Sequence, residues 1–258
     1  MSKSERYAAT VGVFDGVHRG HRHLIGQLCD TAARHSLRSM VVSLDPHPRL
    51  VLTGIPTPLL TTIDERTRLL RETAVDTVHT LTFTRATASL TAREFIREVL
   101  GKELGVRLLL IGYDHHFGSD GRSASAADYQ RWAEESGIEA IIATRLDSAE
   151  TVSSSAIRAA LSAGDVRKAA DMLGRRYTIC GRVVAGARIG RELGFPTANI
   201  ETDTDSKLLP AEGVYAVVAE TEDGRLFRAM TNIGTRPTID DSHIRTIETH
   251  ILDFSGDL

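Results

Sequence analysis

A parallel α/β domain followed by an antiparallel β domain is the fold that this sequence predicts, and three observations carry it. Through the first two thirds of the chain, short apolar runs alternate with stretches of helical period, the pattern of β-α-β units on a sheet covered by helices. After Gly174 the long helical period stops and strand-like segments follow one another, as in a barrel or sandwich. The length of 258 residues leaves room for two domains at roughly 100–200 residues each.

The strands expected in the first region are Thr10–Phe14, Arg38–Leu44, Thr77–Phe83, Arg107–Gly112 and Glu139–Thr144. Between them the amphipathic stretches Gly20–His35, Asp64–Glu72 and Thr91–Glu103 read as helices; in the last, Phe95, Val99 and Leu100 supply the apolar face. Three serines at Ser153-Ser154-Ser155 cap a helix that runs to Ser162 and closes at Gly164, and a second helix runs from Asp165 to Gly174. The domain boundary falls there, giving domains 1–174 and 175–258. Beyond it the strand-like segments are Tyr177–Val184, Gly213–Glu220, Leu226–Ile233 and Arg245–Phe254. Glu222-Asp223-Gly224-Arg225 is the expected hairpin turn, with Asp-Gly supplying the positive φ angles of a tight connection.

Charge and composition exclude several function classes. Lys and Arg number 31 against 34 Asp and Glu, a net charge of −3, so no basic field exists to hold a phosphate backbone and no nucleic-acid partner is expected. The two cysteines, Cys29 and Cys180, stand far apart without CxxC spacing, which fits a reducing, cytoplasmic setting. The polar start from Met1 to Arg6 lacks a signal-peptide core, and no apolar run approaches the roughly 18 residues needed to cross a bilayer. No membrane partner is expected; oligomeric state is not readable.

The most informative segment is Gly12-Val13-Phe14-Asp15-Gly16-Val17-His18-Arg19-Gly20-His21, where the first strand hands over to the first helix. In open α/β sheets that edge binds ligands. Gly12 and Gly16 let backbone approach a ligand, and a helix starting near Val17 offers N–H groups and a positive dipole end to phosphate. His18 and His21 share one face of the opening turn and can donate to phosphate oxygens whose charge grows as a P–O bond breaks. Alone, such a histidine pair reads as two helix residues, and zinc would need three or four ligands. The flanking glycines and Asp15 shift the balance toward nucleotidyl transfer.

This string resembles the HxGH signature of the nucleotidyltransferase superfamily, and in its longer form the FAD synthetase module of bifunctional bacterial riboflavin kinase/FAD synthetases. Supporting segments appear in the family's order. Ser43-Leu44-Asp45-Pro46-His47-Pro48-Arg49 resembles the Pro-His-Pro loop, in which two prolines stiffen the backbone around His47. Ile111 to Gly118 resembles the G-x-D-x-x-F-G segment near the nucleotide and brings in Asp114. Val152 to Arg158 resembles the SSTxIR motif, with Ser155 in place of threonine. The resemblance implies that His18 and His21 are catalytic and that Gly12, Phe14, Asp15, Gly16, His47, Asp114, Ser153, Ser154, Ser155 and Arg158 serve nucleotide binding, the last four holding departing pyrophosphate. Gly118-Ser119-Asp120-Gly121-Arg122-Ser123 departs from the family's usual F-G-x-x-R-x-G arrangement.

In the second half, glycines and arginines from Gly181 onward lead into Pro196-Thr197-Ala198-Asn199. Glycines let a loop wrap phosphates with its amides, and arginines add charge. The segment resembles the riboflavin kinase signature, implying nucleotide contacts at Gly186, Gly190, Arg191, Gly194, Thr197 and Asn199, with Thr197 and Asn199 also at Mg²⁺. No Walker A lysine is present, so the kinase implied lies outside the P-loop class. Gly213–Val217, Asn232–Thr238 and Ile247–Phe254 are further matches. In a strand starting at Ile247, Glu248, His250 and Leu252 share one face, and the resemblance makes Glu248 the general base.

The resemblance implies a Rossmann-like nucleotidyltransferase domain joined to a flavin-binding β-barrel, with riboflavin, FMN, FAD and ATP as substrates and products and Mg²⁺ bridging ATP phosphates. The expected activities are phosphorylation of riboflavin to FMN and adenylylation of FMN to FAD. A transferase acting on another phosphorylated alcohol and a non-catalytic flavin or nucleotide sensor are the rival readings. Family members continue past the aspartate-leucine pair, here Asp257-Leu258, with Tyr-Gly, further strand and a helix. The expectation from that ending is robust FAD synthetase and weakened kinase activity.

Overall fold

The computed structural model describes residues 6–112, 117–121, 123–148, 151–185, 196–237 and 243–256. In chain order its elements are β1 (Tyr7–Gly12), α1 (Arg19–Arg34), β2 (Arg38–Asp45), α2 (Pro48–Thr53), α3 (Ile63–Arg71), β3 (Thr77–Thr82), α4 (Arg85–Ser89), α5 (Ala92–Glu94) leading into a π-helix (Phe95–Glu103), and β4 (Val106–Ile111). Then come α6 (Ala126–Glu135), β5 (Glu139–Ile142), α7 (Ser154–Ser162), α8 (Val166–Leu173), β6 (Gly181–Val184), β7 (Ala198–Thr202), β8 (Gly213–Glu220), β9 (Leu226–Pro237) and β10 (His243–Ile251). The chain divides into two compact units, Met1–Ser154 with Met172–Gly174, and Ser155–Asp171 with Arg175–Leu258.

The first unit is built on a five-stranded sheet in the order β3-β2-β1-β4-β5, and every pair is parallel. The order reverses between β1 and β4, which makes the carboxyl ends of those strands a topological switch point. Both faces of the sheet are covered, so the central strands carry apolar residues on both sides. Tyr7, Ala9 and Val11 of β1 pack with Phe95, Ile96, Val99 and Leu100 on one face. Ala8 packs on the other with Ile25 and Leu28 of α1 and Leu70 of α3.

Among the departures from expectation, three have clear physical reasons. β1 ends at Gly12 rather than Phe14 because Phe14 takes a φ of +55° that leaves extended geometry. The helix expected over Thr91–Glu103 winds mainly as a π-helix, Leu104 N donating to Val99 O five residues back at 3.0 Å. Its buried residues, Phe95, Ile96, Val99 and Leu100, recur at a spacing that this wider winding keeps on one face. Helix α6, not anticipated, starts on a reciprocal cap between Ser125 and Asp128 and buries Tyr129 and Ala133.

The second unit contains an antiparallel five-stranded sheet in the order β6-β7-β10-β9-β8. Its core face carries Ala229, Ile233 and Ile247, with the Thr231 and Thr249 hydroxyls bonded to each other at 2.9 Å. β8 alternates half-buried and exposed residues along its whole length, the signature of one covered face and one open face. Pro196-Thr197-Ala198-Asn199 reads in the sequence as the end of a glycine-rich loop; in the structure the tract runs straight into strand β7 between β6 and β10. At the β8–β9 turn only Gly224 has positive φ, +80°. Thr221 N donates to Arg225 O at 3.0 Å, so the connection has three residues between its closing pair rather than a two-residue Asp-Gly turn.

Candidate active sites

The first site grows from the carboxyl end of β1. Phe14, Gly16 and Val17 all take positive φ, +55°, +84° and +40°, in a loop where Phe14 is 2% and Val17 0% exposed. A β-branched residue in that region is a true outlier, and such strain costs on the order of 1–3 kcal/mol per residue, held by surrounding structure. Asp15 does much of the holding. Its carboxylate accepts from Leu60 N at 3.0 Å, Thr61 N at 2.9 Å and Thr61 Oγ1 at 3.0 Å, while Gly16 N donates to Thr61 Oγ1 at 3.0 Å. Asp15 thus points into the fold and ties the loop to the segment before α3. A Cβ on Gly16 would sit 2.8 Å from Leu60 Cδ1, so both shape and φ call for glycine there.

This strained loop delivers the chain into α1 with the histidines already arranged. His18 is the N-cap, its Nδ1 accepting from His21 N at 3.2 Å. The two imidazoles stack, ring centres 3.6 Å apart and 15° from parallel, and Phe14 meets His21 edge-on at 5.2 Å. A Cβ on Gly20 would lie 3.2 Å from the His18 ring, which explains the glycine between the histidines. Because Nδ1 of His18 accepts, a neutral His18 carries its proton on Nε2 and can donate from there.

Neighbouring loops supply the other expected residues. His47 follows β2 and caps α2, Nδ1 accepting from Arg49 N at 3.2 Å. The end of β2 is anchored by the buried Arg66, whose guanidinium donates to Asp45 Oδ1 at 2.8 Å. Ser154 reaches the first loop directly, its hydroxyl donating to Asp15 O at 2.9 Å. Ser153 is half-buried beside it in sequence, whereas Ser155 and Arg158 belong to the second unit. Asp114, after β4, lies outside the described residues. The loop with the altered glycine pattern is sterically determined: a Cβ on Gly118 would lie 2.3 Å from Ala92 N, and one on Gly121 2.4 Å from Phe117 O. Tyr129 grips that loop, accepting from Phe117 N at 2.9 Å and donating to Phe117 O at 2.8 Å. Burial pushes its phenol above the ordinary tyrosine range.

The second site lies on the open face of the antiparallel sheet. Glu248 of β10 stands opposite Asn199 of β7 on one side and opposite Asn232 of β9 on the other. Directly paired residues project to the same face with Cβ atoms roughly 4.5–5.5 Å apart, so carboxylate and two amides form one row. Asn232 lies in the Asn232–Thr238 segment, and only the sheet register reveals that it stands opposite Glu248. Thr197 and Asn199 are half-buried, and next to them His250 Nδ1 donates to Pro196 O at 2.7 Å. The hydroxyl of Thr197 and the amide oxygen of Asn199 are hard oxygen donors of the kind that suits Mg²⁺ shared with phosphates. Among the described residues no group of three His, Cys, Asp or Glu side chains could hold a metal by itself. Gly186, Gly190, Arg191 and Gly194 lie outside the described residues.

Comparison with known proteins matches each unit to a family. Residues 1–156 fit the FAD synthetase family model, and residues 173–258 fit the riboflavin kinase model. Curated relatives include a bifunctional riboflavin kinase/FMN adenylyltransferase of Pseudomonas fluorescens, 37% identical over 97% of this chain and 79% of the relative. The enzyme of the same description from Escherichia coli K12 is 38% identical over 100% of this chain and 82% of its own length, and that from Listeria monocytogenes 32% identical over 96% and 78%. A crystal structure described as a macrolide-efflux protein from Streptococcus pneumoniae superposes with a TM-score of 0.87 at 31% identity, covering 100% of this chain and 83% of that one. No described helix is long and apolar enough to cross a membrane.

Proposed function

The chain belongs to the family of bifunctional riboflavin kinases and FMN adenylyltransferases, and on that premise we propose how its residues divide the two reactions. The enzyme phosphorylates riboflavin with ATP to give FMN and ADP, and adenylylates FMN with ATP to give FAD and pyrophosphate. We assign the second reaction to residues 1–174 and the first to 175–258, in a cytoplasmic protein.

A chemical contrast governs the assignment. The FMN phosphate is already ionised, so its oxygen can attack the α-phosphorus of ATP without a base; the need is to stabilise charge on the phosphates and leaving pyrophosphate. His18 and His21 at the α1 N-terminus suit that role, with Gly12, Phe14 and Gly16 shaping the loop and Asp15 positioning it. His47, Asp114, Ser153, Ser154, Ser155 and Arg158 are assigned to the same nucleotide. The riboflavin hydroxyl, in contrast, must lose its proton as its oxygen attacks the γ-phosphorus and ADP departs. Glu248 is assigned as the base that takes that proton. Thr197 and Asn199 would hold Mg²⁺, which when bound neutralises phosphate charge; Gly186, Gly190, Arg191 and Gly194 are assigned to the phosphates.

The observation that carries this reading is that each half has its own chemically suitable constellation: stacked histidines at a strained helix entry, and a carboxylate flanked by amides on a strand. His21→Ala should cut FAD formation from FMN by about 10²-fold or more while FMN formation continues, and Glu248→Ala should do the reverse. Separate assays with riboflavin and with supplied FMN decide it; loss of both activities in either folded variant would disprove two independent sites.

A further inference from the structure

We propose that Asn232 contacts the ribityl chain of riboflavin and sets the kinase site's preference for a polyhydroxylated flavin. The inference rests on the assignment of Glu248 as the kinase base. The sheet register gives the row Val184–Asn199–Glu248–Asn232–Val214 across β6, β7, β10, β9 and β8. Its two flanks differ in chemistry. On one side of Glu248 stand Asn199 and, two residues before it, Thr197, the tract assigned to phosphate and cation. On the other side the open face turns apolar beyond Asn232: Val214 is 71%, Val218 45% and Met230 44% exposed, with Ala216 paired to Met230. Val214 stands two strands from Glu248, about 10 Å at the usual strand spacing.

Riboflavin has the matching order of groups: a terminal hydroxyl that reacts, a chain of further hydroxyls, and a flat, largely apolar ring. With the terminal hydroxyl at Glu248, the ring falls over the Val214, Val218 and Met230 side, and the intervening hydroxyls pass Asn232. A carboxamide both donates and accepts, which is what a chain of hydroxyls requires of a partner. Asn232 is exposed on the open face, while the core beneath it is made by Thr231 and Ile233. The fold therefore does not need its side chain.

The test compares FMN-type phosphorylation of riboflavin with that of a flavin carrying a 5-hydroxypentyl chain, which keeps the terminal hydroxyl and lacks the others. The native enzyme should favour riboflavin in kcat/KM. Asn232→Ala should raise the KM for riboflavin roughly tenfold, leave the KM for ATP unchanged, and shrink the preference between the two flavins by the same factor; Asn232→Ser should recover part of it. The unchanged KM for ATP in the kinase reaction, together with a native-like thermal melt, reports that the antiparallel unit of each variant is folded. A native enzyme that phosphorylates neither flavin would overturn the kinase reading itself. A native enzyme that phosphorylates both, with a preference unchanged in Asn232→Ala, would overturn the role of Asn232 alone.

Discussion

Asp15 shows how one carboxylate in a glycine-bearing loop can hold the backbone around it. Its carboxylate is 2% exposed and accepts from two backbone N–H groups and a hydroxyl of Leu60 and Thr61. Asp15→Ala strands those donors in a dry site at about 1–3 kcal/mol each before relaxation. A net loss of about 2–4 kcal/mol is expected in urea unfolding, together with slower FAD formation as the loop through Phe14 and Val17 relaxes. Arg66 and Asp45 form a second pair of this kind, with Arg66 buried and Asp45 35% exposed on its side chain. Asp45→Asn should cost about 1–2 kcal/mol, less than a fully buried pair because solvent reaches the carboxylate. Asp45→Asn together with Arg66→Met should recover part of that loss, and thermal melts of the two variants measure it.

At the scale of elements, caps and periods explain both what the sequence disclosed and what it concealed. Helix α3 opens on a reciprocal cap in which Thr62 N donates to Glu65 Oε2 at 2.9 Å and Glu65 N donates to Thr62 Oγ1 at 3.2 Å. Thr62→Ala should therefore cost about 1 kcal/mol, read as a lower unfolding midpoint. The parallel strands and α1 were legible because their apolar residues follow the strand and helix periods. The π-helical winding at Phe95 was not, since apolar offsets of four and five fit an α-helix nearly as well. β7 was hidden because Pro196 and the preceding glycines speak for a loop, and only pairing with β10 makes Ala198–Thr202 a strand. For the same reason His18, His21 and Glu248 could be named from local motifs, whereas Thr61, Arg66 and Asn232 could not. Thr61 is 46 residues from Asp15 and Asn232 lies opposite Glu248 only through register. Nothing local in the chain encodes either encounter.

At the scale of the molecule, the two units differ in architecture and in the acid sensitivity this gives them. In the first unit Asp76 accepts from Ser39 N at 2.7 Å and Ser39 Oγ at 2.6 Å, and these bonds, the side-chain one foremost, hold its carboxyl below the ordinary range. A depressed folded-state value means the contribution is present above the unfolded pKa, about 3.9, and fades as pH falls through the lower folded value. Stability of the first unit should thus decline below about pH 4, and Asp76→Asn should flatten that decline in acid titrations followed by circular dichroism. The exposed position of Asp76 keeps the effect small. On the proposed assignment of FAD formation to residues 1–174, that activity should follow this acid sensitivity more closely than any property of the antiparallel sheet.

The central placement of β1 has a dynamic consequence. The strand is flanked by β2 and β4, covered on both faces, and buried along nearly all its length, yet it leads directly into the backbone outliers at Phe14 and Val17. Amide protons of Ala8, Ala9 and Thr10 should therefore exchange with solvent deuterium only when the whole first unit opens, while α2, which buries none of its residues, exchanges through local fluctuation. His18 and His21 would then follow closely on the slowest-exchanging strand of the unit, and His47 would border one of its fastest helices.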